Sequence, residues 1–312
     1  MNAALLTMRT RLAVYSVIHP GVKDFVADWY ESLIDQTDMD FDLWISLDSI
    51  SQTEATRWIG REVQAKWLTV SGRKTPAQIR SEAIQLLAKN YSAIIFVDSD
   101  DRLHSSRVSA ARSALESNDL NGCALRLIDA KGEPLGSIFG LAPSSTPEDV
   151  FPYNNIFGLS NTVYASGLLA RCLPIPANVL LVDWFLSTHA WLMGAKLGFD
   201  STIRMDYRQY EANTARVIFP THSEQVKKDT QLVRGHFKFV LSSARDSFLP
   251  DRLQRLHEAA RNIEQFNQQI VEQPPQLQAY VESLNRINPR PLWWSGVAYP
   301  ALAQMWQARQ AN

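Results

Sequence analysis

Residues 93–101 read Ala93-Ile94-Ile95-Phe96-Val97-Asp98-Ser99-Asp100-Asp101. The apolar half is short, uninterrupted and free of polar alternation, which is the pattern of a central strand buried on both faces of a parallel sheet. The strand delivers three carboxylates at its carboxyl end, the edge at which open α/β sheets bind their ligands. Carboxylates packed this closely repel one another unless a cation or a donor-rich ligand compensates. Oxygen donors of this kind suit Mg²⁺ or Mn²⁺ carrying substrate phosphates. Taken alone, the acidic tetrad is equally well explained as a solvated turn; the buried strand before it favours a site.

Working outward, the segment before this strand alternates strand and helix. Leu12 to Ile18 is an apolar strand broken by His19-Pro20-Gly21. Val22, Phe25, Val26, Trp29 and Leu33 recur at helical spacing. Phe41 to Leu47 then forms a strand that stops at Asp48-Ser49. A second unit follows, with a short strand at Trp67 to Val70 and a turn at Ser71-Gly72. Thr75 is its helix N-cap and Pro76 the first helical residue, and the helix runs to about Lys89. Beyond Asp101 the pattern predicts a helix at Ala110 to Ser117, a strand at Cys123 to Ile128 turning at Lys131-Gly132, and a loop from Pro143 to Asn155. An apolar helix from about Asp183 to Gly194 and a strand through Ile203, Met205 and Tyr207 come next. From Arg216 onward the periodicity is helical, Pro274-Pro275 ends a helix pair, and a last segment carries Trp293-Trp294 and Trp306. The chain thus divides into an α/β part, residues 1–215, and a helical carboxy-terminal extension, residues 216–312.

With 31 Lys+Arg against 32 Asp+Glu in 312 residues, the chain lacks the basic excess of a nucleic-acid binder. The balance is uneven: residues 1–215 carry 19 basic and 24 acidic side chains, the remainder 12 and 8. Cys123 and Cys172 lie far apart, which argues against a disulfide framework or a structural zinc site. The apolar window 178–199 contains Asp183, His189 and Lys196, costly in a bilayer, and residues 1–11 lack a cleavage-like end, so the expectation is a cytoplasmic protein. G-x-G-x-x-G, G-x-x-x-x-G-K-[ST], H-E-x-x-H and G-x-S-x-G are all missing. A helical calcium loop counted from Asp98 fails, since Leu103 stands where Gly is needed and Ser109 where Glu is needed. An aspartyl-phosphate phosphotransferase or phosphatase with Asp98 as nucleophile stays open as an alternative, although Asp101-Arg102 follows where such enzymes have Gly-Thr.

The order of motifs resembles family 2 glycosyltransferases of the GT-A type, over about two-thirds of the chain. The resemblance is carried by Leu43-Trp44-Ile45-Ser46-Leu47-Asp48-Ser49, by Gly72 followed by a helix containing Ile79-Arg80-Ser81, and by Phe96-Val97-Asp98-Ser99-Asp100-Asp101. Asp183-Trp184 and Tyr207-Arg208-Gln209-Tyr210-Glu211-Ala212-Asn213-Thr214 complete it. It implies a Rossmann-like, mostly parallel sheet flanked by helices, and a nucleotide diphosphate sugar as donor, UDP favoured. Mn²⁺ or Mg²⁺ is the implied cofactor, and a hydroxyl of a glycan or lipid-linked molecule the acceptor. On this reading Asp100 ligates the metal, Asp98 serves ribose and metal, and Asp101 supports. Asp48, Arg80, Ser99 and Arg208 bind nucleotide sugar, and Asp183 is the base of an inverting transfer. Each has a plainer reading: a turn residue for Asp48, a solvated ion pair for Arg80, a surface salt bridge for Arg208, a helix N-cap for Asp183. Two departures stand out. Val182 precedes Asp183 where many members have Glu, and Tyr210 occupies a position where many carry a metal- or diphosphate-holding His. His222 is the candidate to supply that imidazole, and a non-catalytic nucleotide- or glycan-binding relative is a further alternative. Trp184, Phe185 and Trp191 either face an acceptor sugar or pack the core. The basic extension with its tryptophans either covers the α/β domain or rests on an anionic membrane, peripheral at its inner face.

Overall fold

The computed structural model describes residues 11–211, 213–217 and 219–307, so Ala212 of the Tyr207–Thr214 motif and the residues before Arg11 lie outside the described residues. Strand β1 (Leu12–Ile18) is buried along its whole length. Helix α1 (Val26–Ile34) leads to β2 (Phe41–Leu47), which pairs with β1 in parallel, Leu12 opposite Phe41 and Ile18 opposite Leu47. Helix α2 (Gln52–Ile59) is an element the hydrophobic pattern does not reveal. Ser51 starts it by accepting from the Glu54 amide while the Glu54 carboxylate accepts from the Ser51 amide, a reciprocal cap. Strand β3 (Lys66–Thr69) precedes α3 (Pro76–Leu87), where Thr75 caps and Pro76 opens the helix as its sequence predicts. Strand β4 (Ala93–Phe96) is fully buried and parallel to β1.

The second half mixes directions. Strand β5 (Arg102–Leu103), helix α4 (Arg107–Ala114), β6 (Leu120–Ile128) and β7 (Pro134–Phe139) are followed by α5 (Pro147–Val150), a helical turn inside the expected loop. Strand β8 (Thr162–Ala165), α6 (Ser166–Cys172), α7 (Val182–Leu192) and β9 (Leu197–Arg208) complete the α/β part. The strand order is β3-β2-β1-β4-β8-β6-β9-β5, with β7 on β6. β8 runs antiparallel between β4 and β6, while β6 and β9 pair in parallel. β8 is only four residues long and carries no alternation, which hides it in the sequence. The little β5 bonds to the end of β9, Arg102 opposite Asp206, and this pairing draws the Asp98–Asp101 turn against the last residues of β9.

The extension comprises α8 (Ser223–Ser242), α9 (Pro250–Phe266), continued by a wider turn at Asn267–Val271, and α10 (Pro274–Ile287). Pro274-Pro275 opens α10, where a missing amide hydrogen costs nothing. One apolar cluster contains residues from both sides of position 215, so that position marks a change of element type within continuous packing. Trp184 of α7 stacks on His236 of α8, ring centroids 4.0 Å apart, and on Trp294, 6.1 Å away. Trp293, Trp294 and Trp306 are all buried. The tryptophans offered for lipid contact are thus packed inside the protein. Among the described residues no helix is long and apolar enough to cross a membrane.

Candidate functional site

The carboxyl ends of β1, β2 and β4 open into a cleft of about 490 Å³. Asp48, Arg80, Asp98, Asp100 and Asp183 line it together, so residues spread over 135 positions of sequence meet at one sheet edge, where the chain order predicts a site. Asp48 follows β2 at a left-handed turn, Ser49 having φ of 62°, and accepts from the Ser49 hydroxyl at 2.9 Å. Arg80 projects from α3 and donates to Asp98 Oδ1 at 3.2 Å, so it braces Asp98 and not Asp48. The Asp98 amide donates to Ser160 Oγ at 3.1 Å. Ser99, expected to contact the nucleotide sugar, is buried and gives its hydroxyl hydrogen to Val17 O at 2.7 Å. Its side chain ties the acidic turn to β1.

Asp100 and Asp101 diverge. Asp100 reaches the cleft, and Tyr210 donates to its Oδ2 at 2.8 Å. Burial, and then the charge of Asp98, pushes the Asp100 carboxyl up to about 6. The Tyr210 phenol is itself held well above its ordinary value by burial and by the Asp100 charge, so it remains a proton donor. Asp101 turns inward, fully buried. It accepts from the Arg208 amide at 2.8 Å and from the Ser160 hydroxyl. This corrects the expected supporting-ligand role, because Asp101 does not line the cleft and both its oxygens already accept from protein donors. Arg208 is corrected likewise. Its guanidinium is buried, donates to the carbonyls of Asp100 at 2.8 Å and Ala130 at 3.0 Å, reaches Asp28 Oδ2 at 3.2 Å, and lies 4.7 Å from the Phe25 ring centre. It clamps the acidic turn and has no face left for phosphate. His222 also leaves the predicted set: it is exposed, and its Nδ1 accepts from the Gln225 amide at 3.2 Å as the N-cap of α8.

Asp183 sits in the first turn of α7, with Leu181 and not Asp183 at the N-cap position. Asn155 donates to Asp183 Oδ2 at 2.9 Å. Asn155 is fully buried, and its own Oδ1 accepts from the Phe157 amide at 2.9 Å, which fixes the orientation of the amide group. Burial pushes the Asp183 carboxyl up to about 6. That value suits a group required to take a proton near neutral pH. Asn155, Ser160 and Trp293 escape sequence reading. Asn155 and Ser160 lie in or beside a stretch whose Ser, Pro and Asn content reads only as loop, and Trp293 belongs to the far end of the chain. Gly158 gives one signal in retrospect: a Cβ there would lie 2.5 Å from Trp293 Cζ2, so the bare backbone is what lets the carboxy-terminal segment close one wall of the cleft. His19 also lines the cleft, its Nδ1 accepting from the Gly21 amide at 3.2 Å. His189, Trp184 and Trp191 are core residues.

The donor set fits a hard cation held jointly with substrate. Asp98 and Asp100 are adjacent oxygen donors facing the cleft, and Mg²⁺ is commonly held by one or two carboxylates plus phosphate and water. Among the described residues no group of three His, Cys, Asp or Glu side chains converges to hold a metal on protein atoms alone. The remaining ligands would have to come from the substrate.

No protein-family profile and no curated protein matches the sequence. Solved structures do. S. aureus TarS, residues 1–349 in complex with UDP-GlcNAc, superposes with a TM-score of 0.57 at 15% identity, covering 89% of this chain and 82% of that one. This chain has the GT-A fold. The mannosyltransferase PcManGT from Pyrobaculum calidifontis, in complex with GDP-Man and Mn²⁺, is similar with a TM-score of 0.55 at 13% identity, covering 82% of this chain and 70% of that one. At these identities the likeness is one of fold.

Proposed function

We propose that the protein is a glycosyltransferase that uses a nucleotide diphosphate sugar, with UDP favoured, Mn²⁺ or Mg²⁺ as cofactor, and inversion at the transferred carbon. The observation that carries this reading is the convergence of Asp98, Asp100, Arg80 and Asp183 on one cleft at the carboxyl edge of the sheet. The GT-A neighbours, bound to UDP-GlcNAc and to GDP-Man with Mn²⁺, support it.

In this reading the diphosphate lies against Arg80 and the Asp98–Asp100 turn, and Asp48 meets the base or ribose. When bound, the divalent cation neutralises charge on the departing diphosphate. Asp183, oriented by Asn155, takes the proton of an acceptor hydroxyl as its oxygen forms a bond to C1 of the sugar. The C1–O bond to the diphosphate breaks and its electron pair leaves with the nucleotide. The acceptor is a glycan or a lipid-linked glycan, and the setting is the cytoplasm, where nucleotide sugars serve polysaccharide synthesis.

A thermal-shift series with UDP and GDP, each with and without Mn²⁺, tests the donor reading, since a ligand that binds the folded state raises its stability by mass action. A Mn²⁺-dependent rise with UDP larger than with GDP is expected. Identical melting curves with every nucleotide would overturn the reading.

A further inference from the structure

A second cavity, larger than the donor cleft, opens elsewhere on the protein. It measures about 870 Å³ and lies between residues 140–154, helix α9 and the carboxy-terminal segment 290–307. We propose that it holds the non-reacting part of a neutral oligosaccharide acceptor, a chain of several sugar rings whose terminal hydroxyl reaches Asp183. The inference rests on the transferase reading and adds to it a location and a substrate class.

Position is the first argument. Trp294 lines this cavity and the donor cleft alike. Asn154 lines the cavity and accepts from the Trp294 amide at 3.2 Å, while its neighbour Asn155 holds Asp183. Two consecutive residues of one loop therefore serve the two sites, and Trp294 forms a wall common to both. Chemistry is the second. Tyr153, an exposed residue, lines the cavity, and so do Tyr299 and the largely buried Trp294. Gln265, Arg261 and the amide nitrogen of Asn262, whose Oδ1 already accepts from Trp306 Nε1, add planar hydrogen-bonding groups from α9. Ring faces suit the C–H faces of pyranoses, and amides pair with hydroxyls.

Charge is the third argument. The lining carries Asp149 and Glu258 against Arg261 and Arg290, a balance that selects neither a polyanion nor a polycation. Two of these are already engaged within the protein. Asp149 accepts from Thr146, and Arg290 donates to the Leu141 carbonyl. The volume lies in the upper part of the range of small-ligand sites, about 300–1,000 Å³, and exceeds that of the donor cleft, so it accommodates more than one ring.

The test is a glycan array of neutral and anionic oligosaccharides of graded length, probed with the full chain and with a Tyr153→Ala, Gln265→Ala double variant. Both side chains are exposed, so the fold is expected to tolerate their loss. Neutral chains of three or more sugars should bind, and the double variant should bind them at least tenfold more weakly while its melting shift with UDP and Mn²⁺ is retained. No bound glycan, binding restricted to anionic glycans, or equal binding by the double variant would each overturn the proposal. The nucleotide shift is read separately: its absence in the parent chain defeats the donor reading, whereas its presence with an empty array defeats this one alone.

Discussion

Tyr210 donates to Asp100 Oδ2 across 2.8 Å, so the position at which the resembled family often holds a histidine here presents a hydroxyl to the carboxylate and no nitrogen to a metal. The phenol also packs against Phe25, ring centroids 4.9 Å apart, which limits its freedom to swing away. Partners of this kind orient a ligand and typically change metal affinity by about 10–100-fold when removed. Tyr210→Phe keeps the ring packing and deletes the hydrogen bond. It should raise the Mn²⁺ concentration giving half-maximal donor hydrolysis by about tenfold or more. A Mn²⁺ titration of the variant matching that of the parent would remove Tyr210 from the site's machinery.

Asp183 is expected to act ionised. With its carboxyl pushed up to about 6, kcat/KM should rise with pH through about 6 and level off above it. Asp100 titrates in the same range, and bound Mn²⁺ would keep it ionised, so the limb that persists at saturating Mn²⁺ belongs to Asp183. Asp183→Asn should lower kcat by about 10²–10⁴-fold, the usual worth of general-base catalysis, and leave the UDP-induced melting shift intact. Turnover within a factor of a few of the parent would reject the assignment.

The same half-buried carboxylate carries a stability cost. Its folded-state value lies above the ordinary 3.8, so the stabilising contribution is complete below 3.8 and is lost as pH rises through about 6. The cost above that pH is at most about 3 kcal/mol, at ~1.4 kcal/mol per pKa unit. Asp183→Asn retains an oxygen to accept from Asn155 and removes the charge. The variant should melt higher than the parent at pH 8, and the gap should close between pH 6 and 4; melting curves at these three pH values decide it.

Arg208 is a clamp by geometry, so its loss should act on the fold before it acts on the donor. Arg208→Lys can keep the charge near Asp28 but cannot serve the Asp100 carbonyl, the Ala130 carbonyl and that carboxylate together. Leaving buried carbonyls unpaired costs about 1–3 kcal/mol. A clear fall in melting temperature with little change in the salt dependence of UDP binding is expected. The reverse pattern would return Arg208 to the phosphate-binding set.

What could be read from the sequence divides along physical lines. The strands β1, β2 and β4 and the caps of α3 depend on local patterns, and so does the arrival of Asp48 and Asp98 at one sheet edge; all of these are legible. The fates of Asp101 and Arg208 are not, because they depend on β5 pairing with β9 a hundred residues later, a contact between a two-residue strand and the end of a long one. Asn155 is illegible for the same reason. Its role exists only because a loop residue meets the first turn of α7, and no spacing announces that. The tryptophans of the extension read as either surface or core until the fold buries them against α7 and the cleft.

That burial makes the extension part of the site, and Gly158 is where this can be tested. Trp293 is held on three sides: tilted against Phe139 at 4.2 Å, edge-on to Tyr207 at 4.9 Å, and against the bare Cα of Gly158. A methyl at position 158 would meet the indole at 2.5 Å, and with Phe139 and Tyr207 packed on it the ring can yield only toward the cleft. Gly158→Ala should destabilise the protein by about 1–3 kcal/mol, the usual cost of overpacking, and displace Trp293 from the cleft wall. A red shift of tryptophan emission and a raised KM for the nucleotide sugar are the expected readouts. Adding Trp293→Phe to Gly158→Ala supplies a smaller ring and should recover part of the lost stability. A single variant that leaves both emission and KM unchanged would show that the extension covers the cleft without shaping it.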